Sequence, residues 1–255
     1  MIHYHDMPFP AVGKTRKLHI YLPDDYLATG ERYPVMYFFD GHNLFFDNQA
    51  TYGKSWGLYD FMQAWPKKMM IVGIECGHEG NERLSEYSPY SFHSAFFGGR
   101  LNGLGHETME WIVNDIKPYI DSTYRTYPFR EATGIAGSSM GGLMSIYAVG
   151  KYNRIFSKAA CLSSAILNEL YADMEQCAID SNTRVYLSWG EQEAGRGGKS
   201  VDAWHTPAAR ANQAIAGIFT RAGAACDVYC QPQGRHTEAD WEKQIPQFMD
   251  FLWLR

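Results

Sequence analysis

The sequence has no long hydrophobic run and no cluster of basic residues. No stretch approaches the roughly 18 uninterrupted apolar residues that indicate a transmembrane helix, and residues 1–6 lack the basic start and apolar core of a secretion signal. The formal net charge is −5 at pH 7, so the chain has little attraction for nucleic acid or an anionic membrane. We therefore expect a cytoplasmic protein that binds neither nucleic acid nor membrane, and the sequence leaves its oligomeric state open.

Cysteine is also sparse. The five cysteines are scattered and form no C-x-x-C pair. This distribution is typical of reduced structural thiols and argues against a disulfide framework or a zinc site. We expect neither a metal ion nor an organic cofactor.

The apolar residues that are present occur mainly in short runs of strand length. Hydrophobic residues make up 45% and aromatic residues 15% of the 255 residues, which is enough to bury a sheet on both faces. Strands are predicted at residues 34–39, 69–74, 158–163, 184–189 and 225–230, with an edge strand at 17–22, and helices at 55–65, 109–120, 207–222 and 240–254. This alternation predicts one α/β domain over residues 1–255, with a mostly parallel central sheet and helices on both faces.

A G-x-S-x-G motif at residues 137–141 lies between a predicted strand and a predicted helix. A turn that passes directly from strand to helix strains the backbone of its apex residue, and the flanking glycines let neighbouring backbones approach closely. Ser139 is at the apex, where N–H groups at the helix start favour developing negative charge. Ser139 is therefore the candidate nucleophile, provided that the chain also supplies a base, an acid and an oxyanion site.

The general base and its acid partner are expected after the nucleophile, each on a loop that follows a strand. Of the nine histidines only His205 and His236 follow Ser139, and only His236 follows a predicted strand through a turn. The acid is Glu191 or Glu193, which follow the strand ending at residue 189; spacing alone does not choose between them. Other acidic residues in the interval follow no strand as directly: Asp173, Glu175, Asp180 and Asp202.

The oxyanion site requires two backbone N–H groups. Met140, directly after the nucleophile, supplies one, and Gly41 or His42 supplies the other because they follow a buried strand that ends at the same sheet edge.

The substrate is expected to contact the loop after that strand, including Asp40 and Asn43. The irregular segment 75–105 predicts a wall on the substrate side. Within it, Arg83 and Tyr87 are predicted either to form a structural ion pair and turn with Glu86 or to reach the substrate.

Several segments resemble the esterase D-like family of α/β-hydrolases: residues 40–45, 86–89, 116–121 with 124–126, 136–143 and 236–241. This group includes feruloyl and acetyl-xylan esterases, S-formylglutathione hydrolases, enterochelin esterases and mycolyltransferases, and the resemblance spans about residues 17–252. It implies an α/β-hydrolase fold and, because relatives carry the acid third after a glycine that ends a strand, it favours Glu193 over Glu191. His42 departs from the glutamine that many relatives carry in this loop.

Together these features predict a carboxylesterase-type serine hydrolase. Ser139 attacks the ester carbonyl, His236 transfers the proton, Glu193 orients His236, and water hydrolyses the acyl-enzyme. A short-chain acyl, sugar or hydroxycinnamoyl ester is the expected substrate. The alternatives are an acyltransferase with the same triad, a thioester hydrolase of the S-formylglutathione hydrolase type, and a binding module without activity.

Overall fold

The computed structural model describes residues 1–94, 98–193 and 203–255. Its strands are β1 (Ile2–Phe9), β2 (Lys14–Tyr21), β3 (Val35–Phe39), β4 (Met70–Ile74), β5 (Phe92–Ser94), β6 (Gly99–Leu101), β7 (Thr133–Ser138), β8 (Lys158–Leu162), β9 (Arg184–Gly190) and β10 (Ala225–Gln231). Its helices are α1 (Leu58–Ala64), α2 (Glu82–Glu86), α3 (Gly105–Trp111), α4 (Lys117–Thr123), α5 (Met140–Lys151), α6 (Asn168–Glu175), α7 (Pro207–Arg221), α8 (Glu238–Glu242) and α9 (Ile245–Trp253).

The main sheet has the strand order β1-β2-β4-β3-β7-β8-β9-β10 within the described residues. From β4 through β10 all neighbouring strands pair in parallel, whereas β1 and β2 are antiparallel to their neighbours. The predicted mostly parallel sheet is therefore confirmed. Because parallel strands end at the same edge, the loops after β3, β4, β7, β9 and β10 meet there.

Two hydrophobic clusters cover the two faces of the sheet, as β3 illustrates. Val35, Tyr37 and Phe39 belong to one cluster, together with residues of α5, α6 and α7. Met36 and Phe38 belong to the other, together with residues of α1 and α9. Side chains alternate between faces along a strand, so a strand buried on both faces is apolar throughout. The prediction of helices on both faces is confirmed.

The prediction that residues 17–22 form an edge strand is wrong, because residues 17–21 lie inside the sheet as part of β2. Residues of β2 pair on one side with β4 and on the other with β1, for example His3 with Ile20. Strand β1 contains His3, His5, Asp6 and Pro8, so its sequence shows little of the apolar pattern of a buried strand. One face of β1 nevertheless packs on α4, where the ring of His5 stacks on Tyr119 at 4.2 Å.

Two predicted helices are interrupted. A π-helical turn, Ile112–Ile116, separates α3 from α4 directly before Pro118; proline lacks the N–H of a regular α-helical bond, and the wider turn accommodates this gap. The C-terminal helix divides into α8 and α9, and Pro246 lies in the first turn of α9. No helix of the described ranges is long and apolar enough to cross a membrane.

Candidate active site

Ser139 occupies a strained turn between β7 and α5. Its φ is 57° and its ψ is −117°, an unfavourable backbone region for a residue with a side chain. A Cβ atom on Gly137 would lie 2.6 Å from the backbone carbon of Gly141, so the turn requires glycine there. Ser139 N–H donates to Leu162 O at 2.9 Å, and its carbonyl accepts from Ala165 N–H at 3.0 Å. These bonds hold the apex at the carboxyl edge of the sheet.

His236 reaches the same edge from the turn after β10. Its Nδ1 lies 3.2 Å from Oε2 of Glu193, and its ring packs edge-on against Trp241 with centroids 5.1 Å apart. His236 and Ser139 line one cavity. The structure thus places the predicted nucleophile and base on one cavity and the predicted acid against the base.

Glu193 is fixed through its other carboxylate oxygen. Oε1 accepts hydrogen bonds from Gly190 N–H at 2.8 Å and from Ser163 Oγ at 2.6 Å, and Ser163 Oγ accepts from Trp241 Nε1 at 2.9 Å. The Glu193 side chain is only 12% exposed. Its orientation toward His236 is therefore set by hydrogen bonds from Gly190 and Ser163, and Trp241 in turn fixes Ser163.

The competing acids take other places. Glu191 accepts a hydrogen bond from Gln233 N–H at 2.7 Å, which stabilises the turn after β10. Asp173 pairs with Lys151 at 2.7 Å on the outer helices. Asp202 lies outside the described residues.

The predicted oxyanion donors lie on two elements that begin at the carboxyl edge of the sheet. Met140 begins α5, so its N–H has no acceptor within the helix. Residues Gly41–Asn43 form a 3₁₀ turn directly after β3. A Cβ atom on Gly41 would lie 2.5 Å from the backbone of Gly73, so glycine lets this turn pack tightly against β4.

Asp40 and Arg83, which both line the cavity, form an ion pair in which Asp40 is buried and Arg83 is partly exposed. Arg83 Nε and Nη2 donate to the two Asp40 oxygens at 2.7 and 2.8 Å. Burial alone would raise the pKa of Asp40, but the Arg83 guanidinium outweighs it and holds the pKa below its usual value. The charge of Arg83 is therefore balanced by the Asp40 carboxylate within the protein.

Tyr87 lies behind this pair and does not form the cavity wall. It is 1% exposed; its hydroxyl accepts from Asp40 N–H at 3.0 Å and donates to Ile74 O at 3.3 Å. The structure thus places Tyr87 as a support of Asp40, in line with the structural alternative and not with direct substrate contact. Burial raises the pKa of its hydroxyl, which keeps it protonated as a donor.

The cavity has a volume of about 460 Å³, and its wall is divided about equally between polar and apolar surface. His42, Asn43 and Thr51 line the cavity. Thr51 contacts His42 Nε2 through its hydroxyl at 2.9 Å and donates its N–H to Asn43 Oδ1 at 2.9 Å, so the three residues stabilise one another. Burial lowers the pKa of His42, which favours a neutral imidazole. Asp40, Asn43 and Arg83 therefore lie at the predicted site.

The sequence reasoning missed several cavity residues, among them Tyr52, His78, Glu238 and Trp241. Burial raises the pKa of Glu238, which lies two positions after the predicted base. The segment 236–241 already marked Glu238 and Trp241 as neighbours of the base, but no spacing rule gave them roles. Tyr52 and His78 are on loops whose approach to the cavity depends on the tertiary fold.

Comparison with known proteins shows the family of the chain. The family model described as "Putative esterase" matches residues 10–252. The chain belongs to this esterase family. The predicted resemblance is confirmed, and the protein is a carboxylesterase-type hydrolase.

The esterase is 29% identical to the uncharacterized protein YbbA of Bacillus subtilis (strain 168) over 191 residues, which cover 73% of this chain and 72% of YbbA. It superposes on an IroE-like serine hydrolase from Shewanella oneidensis with a TM-score of 0.74 and 19% identity, covering 99% of this chain and 79% of the other. The siderophore hydrolase EstA from Aspergillus nidulans gives a TM-score of 0.70 and 16% identity, with 96% and 93% covered. At these identities the structural likeness shows the α/β-hydrolase fold.

A larger cavity of the esterase, about 650 Å³, lies at the opposite edge of the sheet. Lys158 and Arg184, which begin β8 and β9, line it together with Trp253. Ser139 ends β7 at the other edge. The larger cavity therefore does not contain the predicted catalytic residues.

Proposed function

We propose that the protein hydrolyses carboxylic esters through a Ser139–His236–Glu193 triad and an acyl-enzyme intermediate. The observation that supports this most is the 3.2 Å contact of His236 Nδ1 with Glu193, in a cavity that also holds the strained Ser139. A carboxylate on Nδ1 fixes the imidazole tautomer that presents Nε2 as the base.

In the first half-reaction the Ser139 oxygen attacks the ester carbonyl while His236 Nε2 takes its proton. The Met140 N–H and the N–H of Gly41 or His42 stabilise the oxyanion, and Glu193 stabilises the imidazolium. His236 then returns the proton to the departing alcohol. In the second half-reaction a water molecule, deprotonated by His236, attacks the acyl-enzyme and releases the acid.

The cavity wall favours a small polar ester. His42, Asn43, Thr51 and Glu238 place polar atoms around the space in front of Ser139, and a long alkyl chain would desolvate them without supplying hydrogen bonds. We therefore propose a short-chain acyl, sugar or hydroxycinnamoyl ester as substrate. Residues 1–255 are proposed to form a single esterase domain. The proposed location of the protein is the cytoplasm.

A substrate panel tests this proposal. We expect hydrolysis of p-nitrophenyl acetate and butyrate with a kcat/KM at least about tenfold above that for the decanoate, because the longer chain would desolvate polar groups of the wall without supplying hydrogen bonds to them. Feruloyl, siderophore and formyl-thioester substrates extend the panel. A preference for the decanoate would contradict the assignment. Transfer of the acyl group to added alcohols, with little free acid formed, would identify an acyltransferase instead.

A further inference from the structure

The loops after β3 and β4 bring two histidines and a cysteine together on one side of the cavity. Phe39 and Ile74 pair in parallel at the ends of these strands, so the following residues emerge side by side. His42 follows β3, and Cys76 and His78 follow β4. One potential ligand atom from each of the three lies within 4.8 Å of the others, and all three residues line the cavity that contains Ser139.

His42 has one ring nitrogen bonded and the other without a partner. Nε2 contacts Thr51 Oγ1 at 2.9 Å. Nδ1 is buried and has no hydrogen-bond partner among the described residues, in a side chain that is 7% exposed. An unpaired buried nitrogen is unfavourable. In metal sites a ligating histidine typically binds the metal through one nitrogen and has the other fixed by a hydrogen bond. Here Nδ1 would bind the metal, and Thr51 would fix Nε2.

The other two residues fit the same role. Cys76 Sγ lies 3.5 Å from Asp40 Oδ1, and burial raises the pKa of its thiol, so a metal ion would have to displace the thiol proton. His78 is exposed over 54% of its side chain, with Nε2 3.6 Å from Glu75 Oε2. Ligands of a tetrahedral zinc lie about 3.3–3.8 Å apart, given bonds of about 2.0–2.3 Å. The three ligand atoms lie within 4.8 Å of one another, and rotation of the exposed His78 ring can bring its nitrogen to this shorter separation.

We propose that His42, Cys76 and His78 bind a single Zn²⁺ ion, whose fourth position opens into the cavity. A set of two imidazoles and one thiolate suits zinc better than magnesium or calcium. Binding forms one zinc–sulfur and two zinc–nitrogen bonds and releases the thiol proton to solvent. The ion inhibits ester hydrolysis because it occupies the space beside the Gly41–His42 backbone. The inhibition rests on the proposed function, whereas the binding does not.

Cobalt substitution tests the binding without turnover. We expect Co²⁺ to bind the metal-free protein at one site per chain and to give thiolate-to-cobalt charge-transfer absorption. Cys76→Ser removes this absorption, and His78→Gln weakens Co²⁺ binding by about tenfold or more. The matched controls are Cys177→Ser and His93→Gln, which change residues outside the cavity and bind Co²⁺ as the parent protein does.

Zinc titration tests the inhibition. Zn²⁺ lowers p-nitrophenyl acetate hydrolysis, a chelator restores it, and both Cys76→Ser and His78→Gln resist the effect relative to their own metal-free activity. Absence of the charge-transfer band from the parent protein overturns the proposal. Equal inhibition of the parent and both variants also overturns the proposal, because it would place the ion on His236 and Glu193.

Because His78 is exposed, its variant keeps the test valid if Cys76→Ser does not fold. A metal-free protein without ester turnover contradicts the proposed function instead, and the cobalt spectrum still decides the binding.

Discussion

In this esterase, Oε2 of Glu193 lies 3.2 Å from Nδ1 of His236. The two residues are 43 positions apart and come from the loops after β9 and β10, which pair in parallel along their full length. The contact is thus a consequence of strand order. A carboxylate at this distance favours the imidazole tautomer with its proton on Nδ1, and Gly190 and Ser163 hold the other carboxylate oxygen.

Replacing Glu193 with glutamine tests this contact. An amide can donate to Nδ1 and stabilise the wrong tautomer, so we expect Glu193→Gln to lower kcat by about 10²–10⁴ with little change in KM. The measurement is steady-state hydrolysis of p-nitrophenyl acetate. The control is Glu191→Gln, for which we expect a change of less than about threefold. A larger loss in the control would show that Glu191 is the acid.

The Asp40–Arg83 pair predicts an effect on stability. Removing the guanidinium leaves a buried carboxylate without its partner, and Arg83 is partly exposed, so we expect Arg83→Gln to lower the unfolding free energy by about 2–3 kcal/mol. Urea denaturation at neutral pH measures this. Arg100→Gln, at an exposed position of β6, is the control. Equal stability of the two variants would mean that the pair contributes little.

Lys158 predicts a pH dependence of stability at the opposite edge of the sheet. Burial, with the charges of Arg184 and Lys67, lowers the pKa of Lys158 to about 8. Between that value and the unfolded pKa of about 10.4, the unfolded chain holds a proton that the folded chain lacks, so raising the pH favours the folded state. The unfolding free energy of the parent protein relative to Lys158→Met should rise by about 1 kcal/mol from pH 8 to pH 10, after allowance for solvent screening.

Denaturation curves at several pH values provide this comparison. Lys17→Met, exposed on β2, is the matched control and should give a difference that does not rise with pH. A flat or falling difference for Lys158→Met would contradict the pKa shift.

The sequence predicts the parts of the site that depend on local pattern. Ser139 could be found because its motif and the flanking strand and helix are continuous in the chain. His236 and the pair Glu191 and Glu193 could be found because each follows an apolar run that had to be a strand. The choice of Glu193 by spacing was not possible, since the turn after β9 presents both carboxylates and only their hydrogen bonds distinguish them.

The sequence does not predict features that depend on distant contacts. Strand β1 was missed because one of its faces is exposed and its sequence resembles a loop. The role of Tyr87 depends on its contact with Asp40, which lies 47 positions away. The meeting of His42 with Cys76 and His78 depends on the adjacency of β3 and β4, which the linear sequence does not specify.

The central claim is that Ser139 carries the acyl group, and covalent labelling combined with kinetics tests it most directly. A fluorophosphonate should add once to the parent protein, and peptide mapping should place the adduct on Ser139. Ser139→Ala should lose the adduct and lower kcat for p-nitrophenyl acetate by about 10³ or more, whereas the neighbouring Ser138→Ala should keep the label. An adduct on another residue, or a Ser139→Ala protein that retains most of its activity, would contradict the account.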